Sequence, residues 1–105
     1  MATYLLVYHG GGMPETEEEG KRVLAAWGKW FEELGDAVID GGNPIGRTQT
    51  IDGHGHIADG GGANPATGYS LLKGDSLEAA VQMAKGCPLL TSGGSVEVCE
   101  TFNAM

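Results

Sequence analysis

Two histidines and an acid fall close together in Ile51-Asp-Gly-His-Gly-His-Ile-Ala-Asp-Gly-Gly-Gly62, the stretch of this chain best equipped for chemistry. His54 and His56 are two apart in a predicted strand, so their imidazoles point the same way, roughly 7 Å apart at the backbone. That spacing lets them share a divalent metal, with His9 or Asp59 as a third ligand. A neutral-imidazole site with an open position suits Lewis-acid or metal-water chemistry. The competing reading is a solvent-facing side of a hairpin whose histidines titrate near neutral pH. Organic cofactors are not expected, so a divalent metal is the one candidate. His54, His56 and Asp59, together with Tyr69 downstream, are the candidate ligand-binding residues.

A second constellation is His9 with Asp40. His9 ends the first predicted strand, and Asp40 at the end of a neighbouring strand would orient it as a general base. The simpler alternative has His9 finishing a strand and Asp40 starting the Gly41-Gly42 turn. Gly10-Gly-Gly12 ahead of a helix invites a phosphate-loop reading. Glu15 and Glu17 to Glu19 oppose it, and no GxGxxG or GKT pattern is present, so a flexible loop is expected. Trp27 and Trp30 read as core residues rather than a stacking box. Cys87 and Cys99 lack CxxC spacing and are expected to be reduced thiols.

These groups must be positioned by a single small domain. The chain has 105 residues, of which 41% are apolar and 19% charged, a globular balance with an unusual 19 glycines. Fourteen acidic residues against six basic give a formal charge of -8, which opposes binding to nucleic acid or to an anionic membrane surface. The longest apolar runs fall far short of the roughly 20 residues that span a bilayer. The N-terminal run makes a poor signal peptide and a good strand, so a cytoplasmic protein is expected.

Residues Thr3 to Tyr8 alternate with the period of a strand. Thr16 and Glu19 form a capping box, and Val23, Trp27, Trp30 and Leu34 make one apolar stripe on a helix that Gly35 ends. Ala37 to Asp40 is a short strand. Arg47 to Ile51 and His54 to Ile57 flank Asp52-Gly53, a pair favoured in two-residue hairpin turns. Asp59 to Gly68 reads as a mobile loop, and Tyr69 to Lys73 as a strand. Asp75 and Glu78 cap a second helix through Leu77, Ala80, Val81 and Ala84, and Val96 to Thr101 is the last strand. This order predicts an α+β fold, a ferredoxin-like split β-α-β sandwich with an extra central hairpin and both helices on one sheet face.

Tyr4-Leu-Leu-Val-Tyr8, Asp59-Gly60 with Gly68-Tyr-Ser-Leu-Leu72, Ser76-Leu-Glu-Ala-Ala80 and Cys87-Pro88 with Gly94-Ser-Val-Glu-Val98 together resemble the YCII-related, or DGPF-type, small proteins. The resemblance runs in order along nearly the whole chain and implies a dimeric α+β barrel, two sheets packed face to face with a ligand cleft in each subunit. Two departures stand out. Asp-Gly-Pro-Phe appears here as Asp59-Gly-Gly-Gly62, which removes a stiffening ring and an anchoring side chain and predicts a looser loop. The His/Asp dyad implied for some relatives has its histidine at the start of the first helix, where this chain has Thr16 to Gly20.

A homodimer is also expected on physical grounds, because helices on one face leave the other face of the sheet bare. Two functions follow as expectations: a homodimeric small-molecule-binding or regulatory interaction module, or a cofactor-free isomerase or lyase acting on a small polar or cyclic acid through a histidine base.

Overall fold

The computed structural model describes residues 2–104. Its elements follow the predicted order: β1 (Ala2–His9), α1 (Glu17–Leu34), a 3₁₀ turn (Gly35–Ala37), β2 (Val38–Asp40), β3 (Gln49–Ile51), β4 (Ile57–Asp59), β5 (Ala66–Gly74), α2 (Leu77–Ala84), a second 3₁₀ turn (Pro88–Ser92) and β6 (Ser95–Glu100). Four strands form one antiparallel sheet in the order β2-β5-β1-β6, and β3 and β4 form a separate two-stranded sheet. The fold is α+β. In the single chain the sheet is open, with β2 and β6 at its edges. Among the described residues no helix is long and apolar enough to cross a membrane.

β1 is bonded on both sides, and its alternation sorts the two faces of the sheet. Tyr4, Leu6 and Tyr8 are buried, in register with Leu72, Ser70 and Gly68 of β5 and with Glu100, Val98 and Val96 of β6. Trp30, Leu72, Ala84 and Cys87 close on this face to make the core, so both helices contribute to the same side. The aromatic stripe of α1 locks together by ring contacts, Trp27 lying edge-on to Tyr8 at 5.2 Å and Trp30 against Phe31 at 5.0 Å. Trp30 Nε1–H donates to the Met83 carbonyl at 3.0 Å, which ties α1 to α2 and satisfies a buried donor. Leu5, Val7, Tyr69, Leu71 and Cys99 lie on the opposite face and stay half-buried.

Several boundaries differ from the sequence reading. The Thr16 hydroxyl accepts from Glu19 N–H as expected, but the Glu19 carboxylate accepts from Glu15 N–H, one residue beyond the reciprocal box. The second helix is capped by Ser76, which accepts from Ala79 N–H, rather than by Asp75. β5 begins at Ala66 and Asp59 belongs to β4, so the loop between them is shorter than the Asp59 to Gly68 stretch that the composition predicts. Pairing supplies the reason: Ala66 meets His9 and Asp59 meets Gln49 across their ladders, and ladder bonds extend strands through residues of poor intrinsic propensity.

Fully buried Leu6 sits at the centre of the core, whereas Leu24 on α1 is 74% exposed. Leu6→Ala is expected to cost about 2–5 kcal/mol. Leu24→Ala should cost no more than about 0.5 kcal/mol. Urea unfolding followed by tryptophan fluorescence measures both, and equal losses would contradict this placement of the core.

Candidate functional site

The His54/His56 segment is a turn, not a strand. Ile51 and Ile57 are the last paired residues, Asp52 N–H donates to the His56 carbonyl at 2.9 Å, and Gly55 N–H donates to the Asp52 carbonyl at 3.0 Å. The left-handed residue is Gly55, with φ 84°, so the loop is longer than the Asp52-Gly53 pair predicted and needs its glycine at the second position. Asp52 organises it: Oδ1 accepts from the amides of His54 and His56 at 2.8 and 3.0 Å, and Oδ2 lies 3.3 Å from His56 Nδ1. These bonds, the His56 amide first, hold the Asp52 carboxyl below its ordinary range. Both imidazoles are exposed, with ring centroids 6.2 Å apart. Asp59 is engaged elsewhere, its Oδ1 accepting from Gln49 Nε2 at 3.0 Å. Among the described residues no group of three or more His, Cys, Asp or Glu is placed to hold a metal ion.

His9 and Asp40 do not meet. β5 lies between β1 and β2, and the Asp40 carboxylate accepts from Gly42 N–H at 2.8 Å. The acid beside His9 is Glu97 of β6, whose Oε1 is 2.9 Å from Nε2. A register shift after Tyr8 brings His9 opposite Ala66 and sets Nδ1 against two backbone carbonyls, 3.1 Å from Asn64 and 3.2 Å from Pro65. Carbonyls only accept, so Nδ1 carries a hydrogen, and the carboxylate is best met by a second N–H. Acceptors at both ring nitrogens favour the protonated form of His9. The Glu97 bond raises the His9 pKa above its ordinary value, opposed by burial and aided by the two carbonyls.

A large concavity lies on the helix side of the sheet among the described residues. It has a volume of about 580 Å³ and is walled by the aromatic rings of Tyr8, Trp27 and Phe31, by Met13, Leu24 and Ile45, and by the Gly10-Gly-Gly12 and Gly41-Gly42 segments. Tyr69 is also among its lining residues. Gly42 is required there, since a Cβ would overlap the Tyr69 carbonyl. The two tryptophans divide their roles: Trp30 is buried, while Trp27 is half-buried and faces the cavity as well as Tyr8. The Tyr8 hydroxyl donates to Ser70 Oγ at 2.7 Å, and Ser70 donates on to the Gly41 carbonyl at 2.7 Å. Burial pushes the Tyr8 phenol up to about 12 and the Cys87 thiol up to about 11, so neither is an anion at neutral pH.

No periodicity singles out this cavity, because its walls come from loops and strand ends far apart in the chain. The glycine clusters at 10–12 and 41–42 are its one visible trace in the sequence. Compared with known proteins, the chain matches no family model and no curated protein, so the YCII-related resemblance rests on its motif residues alone.

The His9 side chain is 12% exposed and that of Glu97 60%, so the pair is partly screened by water and its contribution to stability is modest. A raised folded pKa contributes stability that is complete below the ordinary value of 6.5 and is lost as pH rises through the folded value. The protein is therefore expected to have a higher urea midpoint at pH 6 than at pH 8.5, and Glu97→Gln should flatten that difference. A His9 ring that titrates at or below 6.5 by NMR would contradict the pairing.

Proposed function

We propose that this protein is a homodimeric small-molecule-binding module with its ligand in the cavity between α1 and the strand ends. The observation that carries the reading is the cavity itself: about 580 Å³, concave, lined by aromatic and aliphatic side chains and bounded by glycine segments. Those are the size and character of small-molecule sites.

The order β2-β5-β1-β6, antiparallel throughout, matches a ferredoxin-like split β-α-β frame once the β3–β4 hairpin is taken as an insertion. That match supports the YCII-related reading and, with it, the dimeric α+β barrel. Leu5, Val7, Tyr69 and Leu71 form a half-exposed apolar strip that a second copy would bury by packing sheet on sheet. The hairpin points to the same assembly. Its cross-strand pair Ile51 and Ile57 is 69% and 64% exposed, and two strands alone are marginal in water. A second copy reaching over this arm would supply the missing packing. Two unpaired thiols suit a reducing, cytoplasmic setting.

The enzyme reading has less support. Both nitrogens of His9 are engaged by acceptors, so neither is free to take a proton from a substrate, and Asp40 is on the far side of β5. A metal at His54 and His56 would have two exposed imidazoles and no fixed third ligand.

Sedimentation of the native chain at micromolar concentration is expected to give a dimer, and Leu71→Glu a folded monomer with unchanged far-ultraviolet circular dichroism. A monomeric native chain would overturn the assembly. Titration with the neutral apolar dye Nile red is expected to show saturable binding. Leu24→Glu, a charge at the cavity mouth, should weaken it about tenfold, the equivalent of roughly 1.4 kcal/mol. Unchanged affinity would remove the cavity from the binding reading.

A further inference from the structure

The cavity walls carry no charge. Among the described residues that line it there is no Asp, Glu, Lys, Arg or His, although the chain has fourteen acidic and six basic residues. Several of the polar groups in the walls, though not the neutral side-chain amide of Asn43, are moreover already used. The Tyr8 hydroxyl donates to Ser70, the Thr67 hydroxyl donates to the Gly10 carbonyl at 3.2 Å, and Gly12 N–H donates to the Ser92 carbonyl at 3.2 Å. Gly42 N–H, a ready donor to an anion, is taken by the Asp40 carboxylate, and Ile45 N–H by the Thr67 carbonyl. A charged ligand would lose its hydration and find no counter-ion and few free donors, a heavy penalty in an apolar site.

From this we infer that the ligand is an uncharged, largely apolar molecule with an aromatic ring, held against Trp27, Tyr8 and Phe31. The inference rests on the cavity being a binding site and adds the chemistry of its occupant. Ring stacking and edge contacts supply the recognition, since the aromatic wall already presents rings at mixed angles, 78° between Tyr8 and Trp27 and 39° between Trp27 and Phe31. Small cyclic acids do not suit these walls. The negative surface of the chain discourages them further.

Gly41 offers a way to fill the site from within. It lines the cavity, its backbone is not left-handed, and a Cβ there would rest at 3.8 Å from the Phe31 ring in ordinary contact. Gly41→Leu therefore occupies ligand space without backbone strain, and exposed Leu24→Glu provides a second variant that leaves the core untouched.

Three probes that share one ring system decide the point: 2-naphthol, 2-naphthoate and 2-(aminomethyl)naphthalene, titrated at pH 7 in high salt while the Trp27 indole N–H is followed by NMR. The inference expects 2-naphthol to shift the Trp27 signal saturably, with both charged analogues at least about tenfold weaker. Gly41→Leu and Leu24→Glu should each weaken 2-naphthol by a similar factor. If a charged analogue binds as tightly as 2-naphthol and remains sensitive to Gly41→Leu, the ligand class is overturned while the binding module stands. If no probe moves the Trp27 signal, or if neither variant affects 2-naphthol, the cavity is not the site and both readings fall.

Discussion

β1 and β5 are the two strands with a neighbour on each side, and the two-residue alternation of β1 decides what every other element can do. Tyr4, Leu6 and Tyr8 must enter a core, so α1 and α2 both settle on their side. Leu5, Val7 and His9 are then committed to the other face. A shift of this strand by one residue would exchange the two sets, placing an imidazole among the helices and two tyrosines in the open. Trp30 secures the arrangement from the helix layer, since its indole both fills the core and reaches the backbone of α2.

Residues 8 and 9 show how one strand end serves both faces. Tyr8 turns its ring to Trp27 and the cavity, while His9 turns away to Glu97 and to the carbonyls before β5. The segment that His9 grips leads directly into Ala66 to Gly68, and Thr67 and Gly68 belong to the cavity wall. The cavity is therefore shaped from behind by the His9–Glu97 pair, which never enters it. This separation keeps a titratable pair out of an apolar cavity, where its charged form would lose more in hydration than it gained in attraction.

Local chemistry made the elements legible and left the site obscure. The alternation of β1, the Thr16 cap and the stripe from Val23 to Leu34 are read from nearest neighbours, and each appears in the structure where the sequence puts it. Capping failed by one residue at Ser76 because Asp75 and Ser76 are both good caps and only the packing of Ala80 and Ala84 chooses between them. The hairpin turn was misplaced for a related reason: Asp52-Gly53 and His54-Gly55 both offer glycine, and the two amides bonded by Asp52 favour the second. Consecutive strands are often neighbours, which points His9 to Asp40, whereas here the chain inserts β5 between them. The actual partner of His9, Glu97, is eighty-eight positions away and unmarked by any local pattern.

The stretch from Ile51 to Gly62, the most suggestive in the sequence, is explained in the structure largely by backbone needs. Asp52 uses its carboxylate on amides, Asp59 on Gln49, and Gly60 is tied at both backbone groups to Thr48 and Thr50. Polar side chains in an exposed hairpin must compensate for the packing it lacks, and hydrogen bonds to the turn are the available means. The result is an ordered arm with two exposed isoleucines beside its turn, stiff enough to be presented and too small to be stable for its own sake. An element of that kind gains most of its stability from what it touches, so the chemistry of the arm is better sought in the apolar pair Ile51 and Ile57 than in the histidines that draw attention to it.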